Sequence, residues 1–437
     1  MLYRLLKLLI GIGVRLYYRQ IKVKNVQFLE HHGPMIIIAN HPNTLMDAWI
    51  IGQVCSQPIH FLAKGTFFNS PIKRWFLSSL NMIPINRQVD GNTVGVNNNL
   101  SFEACYKVLE AGKTLVIFPE GNSIMERQLR ELKTGTARIA LEAQKRNNGN
   151  LNLLIVPAGI FYSQAEKFRS SVFVNFGKGE LIKKTIDEDG SISIASKKLT
   201  ARLRLLLEQV LVSTESKEQE TLIEDLSTIL LPLKPLKDVE GKADLMKEIK
   251  IKMEEIQLIQ PYLLDEIQQL ASSIKWKQAQ LKIKSDFAKN RFKSKGYLAK
   301  LTISVFFVLI GFPVFIFGII HSILPFKLTE FLMTKLIKNI EYYAPIAVLL
   351  GLVLYPLNYI LLFQLTNYYL EFSLIFKVAY FISMPIAGMF AYYFVRFLQS
   401  FSFQWKYSFL VVKQIEAMNQ VEKQRKRLSE ILFENRF

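Results

Sequence analysis

"IIIANHPNTLMDAW", residues 36 to 49, decides how the first half of this 437-residue chain folds. An isoleucine run ends at Asn40, Pro42 stops a helix from starting at once, and helical apolar spacing begins at Leu45. The stretch therefore reads as strand, turn and helix. The turn holds His41, and Asp47 follows six positions later. One reading makes Thr44 and Asp47, three apart, a capping box and His41 an incidental loop residue. The other brings the Asp47 carboxylate back to the imidazole, where it fixes the tautomer and stabilises the imidazolium. A histidine just past the end of a buried strand stands where open α/β sheets place their active sites. No serine or cysteine nucleophile motif accompanies the pair, so the second reading is a general base acting on a substrate's own hydroxyl.

The same alternation continues outward. "PMIIIAN" (34–40), "TLVIFPE" (114–120), "LLIVPAG" (153–159) and "SVFVNFG" (171–177) are short apolar runs closed by turn residues. Between them "TLMDAWIIGQVC", "SFEACYKVLEAG" and "TGTARIALEAQKR" carry apolar residues at i, i+3 and i+4. Strands alternating with helices predict an α/β domain, a largely parallel sheet covered by helices, over residues 30–185.

Half of the chain is hydrophobic, and 55 basic residues stand against 36 acidic ones, a formal charge of +19. That excess attracts anions: nucleic acid, an anionic membrane or phosphorylated substrates. No zinc-finger spacing or aromatic-basic RNA-binding signature appears, so nucleic acid is not the expected partner. Two cysteines make no disulfide framework, and five scattered histidines suggest no metal site.

Residues 1–29 begin with an apolar segment broken by Arg4, Lys7, Arg15 and Arg19. Its longest uncharged run is too short to cross a bilayer, which predicts an interfacial helix with snorkelling cations. Residues 186–300 are helical and charged; they either connect two domains or pair with the charged tail at 399–437. Three uncharged or nearly uncharged stretches, 301–320, 344–370 and 378–395, predict about three membrane spans within 301–398. Nine basic residues against one acid between Lys275 and Lys300 predict that the preceding domain is cytoplasmic. The basic tail "KQRKRL" (423–428) argues for the same side. Three spans cannot satisfy both signals: either a fourth pass lies in 327–343 or at the N-terminus, or one signal misleads.

Two further motifs join the opening one. "MIPINRQ" (82–88) ends a strand-like run at Arg87, whose planar fork suits a phosphate. "FPEGNS" (118–123) ends another with Glu120, Gly121 and Ser123, and Gly121 permits close backbone approach or positive φ. Taken in order, "HPNTLMD", the block "FLAKGTFFNSPIKRWFLSSLNMIPINR" (61–87) with Lys64, "FPEGNS" and "LLIVPAG" resemble the glycerolipid acyltransferase family of lysophosphatidate and glycerol-phosphate acyltransferases. The resemblance covers about residues 30 to 180. Five residues separate His41 from Asp47 where the family's common pattern has four, which puts the dyad geometry in question. That spacing, "LKTGTARIAL" (132–141) and the C-terminal apolar segments look most like the fungal-type glycerol-3-phosphate/dihydroxyacetone-phosphate acyltransferases.

The resemblance implies acyl transfer from acyl-CoA or acyl carrier protein to a hydroxyl of glycerol-3-phosphate or a related glycerol phosphate, in phospholipid biosynthesis. It makes His41 the base and Asp47 its orienting partner. Lys64 and Arg87 hold the acceptor's phosphate, with Glu120, Gly121 and Ser123 shaping that pocket, and no metal or redox cofactor is required. The expected partners are membrane lipids, the acyl thioester and the acceptor. Rival readings are a lysophosphatidate or other lysophospholipid acyltransferase and a non-catalytic lipid-binding membrane protein of the same fold.

Overall fold

The computed structural model describes residues 2–86, 98–182, 191–283 and 297–434. It forms two compact units, the first comprising Met1–Glu220, Asp238–Ala243 and Asn339–Val348.

The first unit is built on an eight-stranded sheet: β1 (Gln20–Lys24), β2 (Met35–Ala39), β3 (Ile59–Lys64), β4 (Met82–Ile85), β5 (Thr114–Ile117), β6 (Leu154–Tyr162), β7 (Ser171–Phe176) and β8 (Glu180–Leu181). Their order is β1-β7-β6-β2-β5-β3-β4, with β8 also paired to β6. Every pairing is parallel except those of β6 with β7 and β8. This is the mostly parallel sheet that the alternating sequence predicts. All five residues of β2 are buried, as a central strand covered on both faces requires.

Helices α1 (Leu2–Tyr17), α2 (Leu45–Val54), α3 (Pro71–Ser79), α4 (Asn99–Glu110), α5 (Gly135–Arg146) and α6 (Ile192–Val210) surround it. Strand periodicity sends Ile36 and Ile38 to one face, where they join a core with Leu109, Leu115, Ala140, Leu141, Leu203 and Leu207. The α6 leucines in that core carry the unit past the expected boundary at residue 185. Helix α2 is buried from Met46 to Gly52 and apolar on nearly all sides. Helix α1 is tied to it by Lys7 Nζ, which donates to the Cys55 carbonyl (3.0 Å), and by Gln53 Nε2, which donates to the Lys7 carbonyl (2.7 Å). The N-terminal helix ends at Tyr17, and residues 20–24 form an edge strand whose Lys22 and Lys24 are ion-paired to Asp238 and Glu240.

The second unit contains α7 (Lys217–Ile229), α8 (Val239–Ile259), α9 (Tyr262–Gln280), α10 (Tyr297–Leu336), α11 (Tyr343–Tyr369), α12 (Leu374–Lys413) and α13 (Ile415–Ser429), except for short stretches of α7, α8 and α11 that belong to the first. Three long apolar helical segments, Thr302–Leu336, Ile340–Tyr369 and Leu374–Ser402, have the length and composition to cross a membrane. Residues 327–336 continue α10, so among the described residues no separate helix supplies a fourth pass there. Gly311 lies against Phe394 and Gly318 against the Ala387 backbone, the close approach that small residues allow between apolar helices. The polar groups in this region bond to one another: His321 Nε2 to Tyr380 Oη (2.8 Å), and Asn358 Nδ2 to the His321 carbonyl (2.8 Å). Helix α9 pairs with the tail helix α13, with Gln424 Nε2 donating to Ser273 Oγ (2.9 Å). The helical region and the tail thus meet.

Burial pushes the Cys55 and Cys105 thiols up to about 12. Both stay protonated at pH 8 and are expected to resist an aromatic disulfide reagent in the folded chain, reacting fully only after denaturation.

Candidate active site

Strands β2, β5 and β3 run parallel, so their C-terminal ends share one edge of the sheet. His41 follows β2, the run from Phe118 to Ser123 follows β5, and Lys64 ends β3. Ile37 and Phe61 both pair with Val116, which puts Lys64 level with Asn40, two strands and about 10 Å away. Asn40 closes the other side. Its side-chain amide donates to the Ile160 carbonyl (3.0 Å) and accepts from the Ile160 N–H (2.8 Å), extending the β2–β6 ladder by one step.

Between Asn40 and α2 the chain turns back on itself. His41 Nδ1 lies 2.9 Å from Asp47 Oδ2. A carboxylate oxygen accepts, so Nδ1 is the donor in this contact, and in the neutral ring that tautomer leaves the lone pair on Nε2. The same Oδ2 accepts from the Asn43 N–H (2.7 Å), and Oδ1 accepts from the Tyr162 hydroxyl (2.6 Å). Asp47 is fully buried, and these three donors are what make a buried carboxylate tolerable. Tyr162 is buried in turn, and burial beside Asp47 pushes its phenol well above the ordinary tyrosine value, keeping it a donor. The adjacent Tyr18 accepts from Asn43 Nδ2 (2.9 Å) and donates to the Ala165 carbonyl (3.0 Å), so the loop is held from below.

The capping box is not formed. Thr44 is the N-cap residue of α2, but its side chain makes no cap hydrogen bond, and Asp47 is engaged with His41 instead. Thr44 adopts φ 44° and ψ −124°, a rare conformation for a β-branched residue. That turn absorbs the fifth residue between His41 and Asp47. It is held from two sides: the Thr44 N–H donates to Ser123 Oγ (2.9 Å), and Thr44 Oγ1 donates to the Glu341 carbonyl (3.0 Å).

The β5 loop supplies the facing wall. The Phe118 ring stacks on the His41 imidazole at 3.9 Å between centroids and 10° between planes. Glu120 Oε1 accepts from the His41 N–H (3.3 Å) and Oε2 from the Arg130 N–H (3.4 Å). Burial raises the Glu120 pKa, and those two backbone donors partly oppose it. Gly121 has φ 77°, the left-handed conformation in which a side chain is strained. His41, Asp47, Glu120, Gly121 and Ser123 thus form one cluster, with Lys64 on the same sheet edge. Arg87 lies outside the described residues; the last residue before it, Asn86, sits so close to Gly65 that a side chain there would collide with it. Among the described residues no group of histidine, cysteine, aspartate and glutamate side chains could hold a metal ion.

Residues 20–161 match the family model described as Acyltransferase. The match runs from β1 into β6 and takes in every residue of the cluster. No curated protein matches the chain in sequence. Among solved structures, the chain is similar to the crystal structure of the 1-acyl-sn-glycerophosphate (LPA) acyltransferase PlsC from Thermotoga maritima, at 18% identity and a TM-score of 0.34, over 47% of this chain and 79% of that one.

Sequence reasoning misses Tyr162, Tyr18 and Asn43, and sees Thr44 only as a candidate helix cap. Tyr162 is separated from Asp47 by 115 positions, and its only local signal is a polar tip at the end of an apolar strand. Tyr162→Phe leaves Asp47 Oδ1 buried without that donor. It is expected to cost about 1–3 kcal/mol of stability, measured by unfolding of the solubilised chain, and to be far from additive with Asp47→Ala.

Proposed function

We propose that this chain is a membrane O-acyltransferase that moves a fatty acyl group from an acyl thioester, acyl-CoA or acyl carrier protein, to a hydroxyl of glycerol-3-phosphate or a related glycerol phosphate. The observation that carries this reading is the His41–Asp47 contact. It fixes the His41 ring through Nδ1 at the carboxyl edge of the sheet, inside the span that matches the Acyltransferase model, and supports Nε2 as the base.

In the proposed reaction Nε2 takes the proton from the acceptor hydroxyl as its oxygen attacks the thioester carbon. Asp47 holds the ring and stabilises the imidazolium that results. The tetrahedral intermediate collapses with cleavage of the C–S bond, and the imidazolium returns the proton to the departing thiolate. No covalent acyl-enzyme is needed, which suits a histidine that no serine or cysteine nucleophile motif accompanies in the sequence, Ser123 Oγ being engaged with the Thr44 N–H. Lys64 and Arg87 serve the acceptor's phosphate, Lys64 from the sheet edge level with Asn40. Glu120 and Ser123 act by fixing the backbone of His41 and Thr44, and Gly121 makes the turn that brings them there.

The membrane setting fits a lipid product. Helix α1 exposes Leu5, Leu8, Leu9, Ile12 and Leu16, an apolar row for the interface, and the three long apolar segments anchor the chain. The basic run before residue 301 supports a cytoplasmic side for the catalytic unit.

The test is acyl transfer in detergent-solubilised membranes, supplying labelled palmitoyl-CoA with either glycerol-3-phosphate or lysophosphatidate. The native chain is expected to acylate glycerol-3-phosphate in preference, and His41→Ala to lose roughly 10²–10⁴-fold in rate. A fully active His41→Ala would overturn the mechanism, and a preference for lysophosphatidate would move the acceptor to the next lipid in size.

A further inference from the structure

Helix α3 is the element of the first unit that packing explains least. None of its nine residues is buried. Ile72 is 78% exposed, Trp75 66% and Phe76 40%, and Phe67 in the turn before the helix is 45% exposed. Ile72, Trp75 and Phe76 stand at i, i+3 and i+4, so they form one face, and Lys73 and Arg74 flank it. Beside that face lies an open cleft of about 370 Å³ lined by Asn69, Ser70, Pro71, Arg74, Trp75 and Ser78.

Charge identifies what covers this face. From Ala48 to Val89 the chain contains no aspartate or glutamate, while Lys64, Lys73 and Arg74 are all cationic. A protein partner's rim usually meets charges of both signs; an apolar face edged only by cations complements anionic lipid. Tryptophan in particular favours the headgroup level, where its ring is apolar and its indole N–H is wet. The helix is also well formed for such a position. Ser70 caps it by accepting from the Lys73 N–H (3.3 Å), and Pro71 occupies its first position.

We propose that α3 is an interfacial anchor. It lies in the headgroup layer of an anionic bilayer, with Ile72, Trp75 and Phe76 toward the acyl chains and Lys73 and Arg74 on lipid phosphates. It begins seven residues after Lys64, so it holds the end of β3 beside the lipid surface. The proposal goes beyond the acyl-transfer reading and is tested without catalysis.

The experiment uses the full-length chain in nanodiscs of mixed phosphatidylcholine and phosphatidylserine, nitroxide-labelled at Ile72→Cys or, separately, at Trp75→Cys. Power saturation compares collision with oxygen, which concentrates in lipid, against a water-soluble nickel chelate. Oxygen collisions several times more effective than those of the chelate are expected at both positions. Adding Lys73→Glu and Arg74→Glu, or using phosphatidylcholine alone, is expected to shift both labels toward the chelate. Chelate-dominated collision at both positions would overturn the proposal. So would labels shielded from both reagents, which would mean a protein covers the face, or spin–spin broadening, which would mean a second copy does.

Discussion

A carboxylate with no exposed surface must be surrounded by donors or lose its charge, and the local architecture follows from meeting that demand at Asp47. Three donors reach it, from the His41 ring, the Asn43 backbone and the Tyr162 hydroxyl. They come from the turn after β2 and from the end of β6, so the carboxylate joins two neighbouring strands as well as one base. Removing a donor leaves buried charge uncompensated, which costs more than the bond itself contributes. The loop therefore adopts an unfavourable backbone angle at Thr44 rather than release the contact.

The parallel sheet makes this economical. Because β2, β5 and β3 point the same way, three separate loops open onto one edge, and each contributes a different chemical type: imidazole with carboxylate, a half-buried acid on a glycine turn, and a lysine. Phe118 and Glu120 act on the two halves of one residue, the first against the His41 ring and the second on its backbone N–H. Asn40 and Tyr162 then lock the edge to β6, the strand at which the sheet changes from parallel to antiparallel.

What the sequence could disclose follows from how local each signal is. The strands β2, β5, β6 and β7 are continuous β-branched and apolar runs, because burial on both faces leaves no room for polar residues, and they are visible without a structure. Strand β1, "QIKVK", is not: its lysines sit at a sheet edge, and its partner, Ser171–Asn175, lies some 150 residues away. Helix α3 was equally hidden, since its apolar residues face outward and its sequence lacks a core-facing stripe. His41, Glu120 and Gly121 could be named because each stands just after a legible strand, and Asp47 because it opens the helix that follows His41. Tyr162 and Asn43 could not, because their role depends on which strands become neighbours. Thr44 leaves the capping-box reading open for a definite reason. A serine or threonine three residues before an acid ordinarily caps a helix, and only the positive φ, set by contacts with Ser123 and Glu341, turns that acid elsewhere.

The central claim is that Asp47 serves His41 by accepting from Nδ1. The most direct measurement is the turnover of Asp47→Asn in the full-length chain, alongside its unfolding temperature. An asparagine keeps the shape and can present an N–H to Nδ1, which favours the wrong imidazole tautomer. The account predicts that turnover falls by about 10²–10⁴-fold while the chain stays folded and thioester binding is retained. Native turnover in a folded Asp47→Asn chain would contradict it, and would make the contact between His41 and Asp47 a structural one.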